Sequence, residues 1–136
     1  LTTAFLRPDT ELALPCSTDQ ITREPQVRNW LAKDPECRLK VSARMMHELL
    51  KLTQESRVIR KLPCPMYMFT AGQETIVNNL VSEALFERLS SMPHQKLKHH
   101  FPEAWHDLMF DPVIDELVDI LTNWMTEVAK ERLTIS

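Results

Sequence analysis

The chain has 136 residues, a formal charge of -3 and 43% apolar residues, enough for about one domain with a buried core and too apolar for a wholly disordered chain. Its acids and bases are nearly balanced and dispersed, so there is no basic stripe for phosphate backbones and nucleic acid is excluded as a partner class. Its three cysteines include no CxxC pair, which argues against a disulfide framework or zinc site and for reduced thiols in a cytoplasmic protein.

No apolar run reaches the roughly 18 to 20 residues that cross a bilayer, and the opening stretch LTTAFLRPDTELALPC has no basic segment followed by an apolar one. The expectation is a chain neither inserted nor exported. Residues 1–20 read as loop with one brief strand. In ITREPQVRNWLAKDP, Thr22 can cap a helix, Pro25 suits its first turn, and Val27, Trp30 and Leu31 recur at helical spacing until Pro35 stops it. Between Leu39 and Ile59, Val41, Met45, Met46, Leu49, Leu50, Leu52 and Val58 mostly keep a three-to-four step, with Arg44, Glu48, Lys51 and Glu55 on the other face. That pattern predicts a helix of several turns, its methionine and leucine face read equally as ordinary core or as the lining of an acyl pocket.

Pro63 and Pro65 bracket Cys64, after which MYMFTAG is a compact aromatic run ended by glycine, so Met66 to Thr70 reads as a buried strand. From Val77 onward, Leu80, Val81, Ala84, Leu85 and Leu89 predict a helix, with Asn78 or Asn79 near its start and Pro93 beyond its end. HQKLKHHF, stopped by Pro102, suits a short strand near a sheet edge, and Pro112 to about Arg132 reads as another amphipathic helix. Strand, helix, strand, helix is the order of a parallel sheet with covering helices. Two strands do not make such a sheet stable. Residues 61–136 therefore read as the C-terminal part of a larger α/β core, and residues 1–60 as a helical cap segment.

In open α/β sheets ligands bind beyond the C-terminal ends of the strands. Glu74 follows the first predicted strand and His106 the second. A carboxylate that accepts an imidazole N–H fixes the tautomer and stabilises the imidazolium formed when the other nitrogen takes a proton. The plainer reading is a solvated loop acid beside a surface histidine. Asp107 and Asp111 are nearby alternative acids, each better suited to capping a helix start. His94, His99, His100 and His106 make a histidine-rich stretch, but His99 and His100 on one strand face opposite sides, so no shared metal is expected. No residue pattern asks for a cofactor.

These residues carry a family resemblance. ITREPQVRNWLAKDPECRLKVSARMMHELL resembles the second half of the cap in monoacylglycerol lipases and bacterial lysophospholipases. LPCPMYMFTAGQETIVNN resembles their strand leading to the triad acid, and FPEAWHDLMFD their catalytic-histidine segment. The pieces keep the family's order over about residues 20–125. The resemblance implies an α/β-hydrolase fold and a serine ester hydrolase acting on lysophospholipid, monoacylglycerol or another ester. It also implies Glu74 in the place of the triad acid, usually aspartate, and His106 as general base.

The nucleophile of this fold sits in Gly-x-Ser-x-Gly, which a chain whose single glycine is Gly72 cannot contain. None of Ser17, Ser42, Ser56, Ser82, Ser90, Ser91 or Ser136 has that setting. The serine and oxyanion hole are expected in an N-terminal part of the same hydrolase, leaving this segment inactive alone. Two alternatives stay open: a non-enzymatic helical interaction module derived from a hydrolase, and another activity on this fold, such as a peptidase or epoxide hydrolase. A lipid substrate would bring with it peripheral contact with a membrane.

Overall fold

A computed structural model describes residues 7–37, 39–91 and 96–135, with side chains through 131. Pro93, His94 and Ser136 lie outside the described residues, as does the apolar patch near residue 5. Strand β1 (Glu11–Ala13) is followed by a 3-10 turn (Thr18–Gln20) and helix α1 (Pro25–Lys33). Strand β2 (Lys40–Ser42) returns antiparallel to β1, with Leu12 opposite Val41, and runs directly into helix α2 (Ala43–Ser56).

This first segment corrects three expectations. Thr22 does not cap α1; Glu24 does, its side chain accepting from the Gln26 N–H, with Pro25 at the first helical position. Thr22 is instead fully buried, donating its hydroxyl to the Phe110 carbonyl at 2.7 Å and accepting from the Glu24 N–H. A long-range partner has taken the hydroxyl that local capping would use. The helix expected across Leu39 to Ile59 begins only at Ala43, because Leu39 and β2 are hydrogen-bonded to the β1 region and Ser42 caps α2 through the Met45 N–H. Nor does the α2 apolar face form ordinary core among the described residues, since Met45, Leu49, Leu50 and Leu52 are all exposed.

The second segment keeps the expected order: strand β3 (Met66–Ala71), helix α3 (Asn79–Arg88), strand β4 (Lys96–Phe101), a 3-10 turn (Leu108–Phe110) and helix α4 (Ile114–Ile135). Asn78 caps α3 by accepting from the Leu80 N–H. β3 and β4 are parallel, in register from Met66 opposite Lys96 to Ala71 opposite Phe101. Alternation along the strands sends the two sets of side chains to opposite faces. Lys96 and Lys98 reach over the Phe86 ring of α3 on one face. On the other, Phe69 stacks near Phe101 and Tyr67 meets Trp124 of α4 edge-on at 5.4 Å.

Ala71, Phe101, Ala104 and Leu117 form the buried cluster, with Phe69, Leu108, Val113 and Ile120 packed against it. Each large member contributes about 1.5–3 kcal/mol by leaving water. Among the described residues β3 is hydrogen-bonded in a ladder on one side only, to β4. Its other edge presents backbone groups of the kind a further strand would satisfy. No helix among the described residues is long and apolar enough to cross a membrane.

The turn after β3 depends on Gly72, whose N–H donates to the Phe101 carbonyl at 2.8 Å. A Cβ at this position would collide with the Pro102 backbone, carbonyl oxygen included. The need for glycine here is close approach, since no residue among those described has a positive φ. Gly72→Ala is expected to destabilise the protein by about 1–3 kcal/mol, the usual cost of forcing backbone aside. Equal denaturant midpoints for the two proteins would show that the two turns can separate freely.

Candidate active site

The in-register end of the β3–β4 pair puts two loops side by side. Gln73 ties them together, its N–H donating to the Ala104 carbonyl at 2.9 Å and its side-chain amide to the Pro102 carbonyl at 3.1 Å. Asn79 holds the first loop against its strand by donating from Nδ2 to the Ala71 carbonyl. From these loops Glu74 and His106, 32 residues apart in sequence, meet with Oε2 and Nδ1 at 2.8 Å.

Glu74 divides its two oxygens. Oε1 accepts from the Ile76 and Val77 N–H groups at 2.6 and 3.0 Å, and Oε2 faces the imidazole. The longer glutamate side chain is accommodated by this turn of backbone donors. Its side chain is 7% exposed and that of His106 33%. Burial pushes the Glu74 carboxyl up, but hydrogen bonds from Val77, His106 and Ile76 and the charge on His106 outweigh it, holding the group below its ordinary value. An ionised Oε2 only accepts, so the contact is made by an N–H at Nδ1, and in the neutral ring that leaves Nε2 as the acceptor. His106 and Glu74 both line a cavity of about 270 Å³ against Thr70, Val77 and Ser82.

A carboxyl depressed in the fold contributes stability above its unfolded value, and that contribution disappears as pH falls through the lower folded value. The stability difference between the protein and Glu74→Gln is therefore expected to hold steady from neutral pH down to about pH 4.3 and to shrink below it. Urea midpoints at a series of pH values measure this. A difference unchanged down to pH 3 would contradict it.

The two alternative acids are occupied elsewhere. Asp107 caps the 3-10 turn by accepting from the Met109 N–H. Asp111 is buried, 1% exposed, and its carboxylate accepts from Arg23, Trp105 and Val113. His100 hydrogen-bonds Thr70 across the strands, while His99 approaches Glu116 of α4. Reading the sequence missed Arg23 and the structural use of Thr22. The signal is the Thr-Arg pair just before Glu-Pro, which marks a helix start and a cap resemblance without naming its remote partners.

The sequence profile of the serine aminopeptidase (S33) family matches residues 2–113, a span that holds Glu74 and His106. The chain belongs to the serine aminopeptidase (S33) family. This S33 chain is similar in structure to the monoacylglycerol lipase of Paleococcus ferrophilus, with a TM-score of 0.81 and 18% identity over 93% of this chain and 49% of that one. It is also similar to a soluble variant of monoglyceride lipase from Saccharomyces cerevisiae solved with a substrate analog, with a TM-score of 0.75 and 18% identity over 93% of this chain and 46% of that one. At such identities the likeness is one of fold, and the fold is that of an α/β hydrolase. The S33 chain spans about half the length of the structures it matches. A comparison with curated proteins returns no significant match.

Proposed function

We propose that Glu74 and His106 are the acid and general base of a Ser-His-Glu triad that hydrolyses carboxylic esters of the monoacylglycerol or lysophospholipid class. The serine and the oxyanion donors come from a part of the hydrolase outside these 136 residues, on a nucleophile elbow beside the free edge of β3. The observation that carries this reading is the 2.8 Å contact between Glu74 and His106 beyond the ends of adjacent parallel strands. In the reaction Nε2 takes the serine proton as the hydroxyl attacks the ester carbonyl, and returns it to the leaving alcohol. Residues 1–60 act as cap, with the exposed Met45, Leu49 and Leu52 of α2 suited to acyl chains or to a peripheral lipid surface.

The test is substrate turnover by the full-length protein. Fatty acid release from monooleoylglycerol or lysophosphatidylcholine is expected. Cleavage of an aminoacyl anilide with neither ester touched would favour the peptidase activity that the S33 name describes. Failure on all three substrates, with no labelling by a fluorophosphonate, would favour a non-enzymatic module.

A further inference from the structure

We propose that Arg23, through its ion pair with the buried Asp111 carboxylate, is a positioning residue for His106. This rests on the triad reading of His106. The Asp111 carboxylate is removed from solvent, and its Oδ1 accepts from Arg23 Nε at 3.0 Å and from the Val113 N–H at 3.4 Å. Its Oδ2 accepts from the Trp105 N–H at 3.2 Å. On the far side of His106, the Asp107 N–H donates to the Ile21 carbonyl at 2.8 Å. The Ala104–Trp105 peptide, one residue before His106, is thus held through Asp111, and the His106–Asp107 peptide directly, by residues 21 to 23. Thr22 adds a third tie to the same loop through the Phe110 carbonyl, and the Arg28 guanidinium lies 5.6 Å from the Trp105 ring.

A carboxylate out of contact with water is stable as an anion only while it keeps a charged partner and hydrogen-bond donors. Without the guanidinium, Asp111 loses its charged partner and one hydrogen bond, and its carboxylate is free to turn toward water. That turn weakens its bond to the Trp105 N–H and frees the loop that aims the imidazole at Glu74. Arg23 does not line the cavity beside His106. Its loss therefore acts on the chemical step and leaves substrate binding alone. A misplacement of about 1 Å in such a group costs on the order of a hundredfold in rate.

The experiment measures kcat and KM of the full-length enzyme and of Arg23→Gln and Arg23→Lys, each with and without Glu74→Gln. Arg23→Gln is expected to lower kcat about 10- to 100-fold with KM within about twofold. Arg23→Lys, which keeps the charge, recovers part of the loss. In the Glu74→Gln background the further loss from Arg23→Gln shrinks to less than about threefold, because both changes act through one imidazole. A folded Arg23→Gln enzyme with wild-type kcat and only a lower melting temperature overturns the proposal, as do equal losses in the two backgrounds. If circular dichroism shows Arg23→Gln unfolded, Arg23→Lys decides by its own kcat and its coupling to Glu74. His106→Ala run in parallel separates the two readings. An active His106→Ala enzyme overturns the triad, whereas an inactive one beside undisturbed Arg23 variants overturns only the positioning role.

Discussion

In the full-length enzyme, Glu74→Gln is expected to keep the fold and lower ester turnover by about ten-thousandfold, the size of the aspartate-to-asparagine effect in serine proteases. The amide retains the shape of the carboxylate but not its charge, so it can favour the wrong imidazole tautomer and does not stabilise an imidazolium. The two backbone donors from Ile76 and Val77 still find the amide oxygen, which is why the loop survives the change. His106→Ala is expected to be at least as damaging. The double variant should be little worse than His106→Ala alone, because residues that act as a unit do not contribute additively. Steady-state rates at fixed pH, with circular dichroism on each variant, measure all of this. Near wild-type turnover in Glu74→Gln, with loss in Asp107→Asn, would move the acid role to Asp107.

The 136 residues by themselves are expected to hydrolyse a nitrophenyl ester no faster than the same concentration of imidazole. An acid and a base without a nucleophile and oxyanion donors keep almost none of a triad's acceleration, whereas an enzyme that lacks one triad member still has about 10³–10⁴-fold over water from its oxyanion hole and binding. Turnover above the imidazole control that disappears in His106→Ala would mean that these residues contain a nucleophile of their own.

Much of the second segment was legible in the sequence because local signals and tertiary demands agree there. Pro65 and Gly72 bound a short aromatic strand, Asn78 caps α3, and both strands end in loops with a chemically useful residue. The Glu74–His106 contact followed from placing an acid and a histidine after neighbouring parallel strands. The first segment was harder to read because its decisive partners are remote. Thr22 and Arg23 are claimed by Phe110 and Asp111, each 88 residues away, and no local pattern announces that. Lys40 to Ser42 shares the helical period of α2, yet pairs with a strand 29 residues upstream. Distance along the chain, more than ambiguity of pattern, limited the reading.

The register of β3 and β4 has an evolutionary corollary. The meeting of acid and imidazole is set by Ala71 standing opposite Phe101 and by the short run from each to its functional residue. A single added residue between Ala71 and Glu74, or between Phe101 and His106, moves one partner away from the other. Descendants of this sequence are therefore held to a fixed count after each of the two strands.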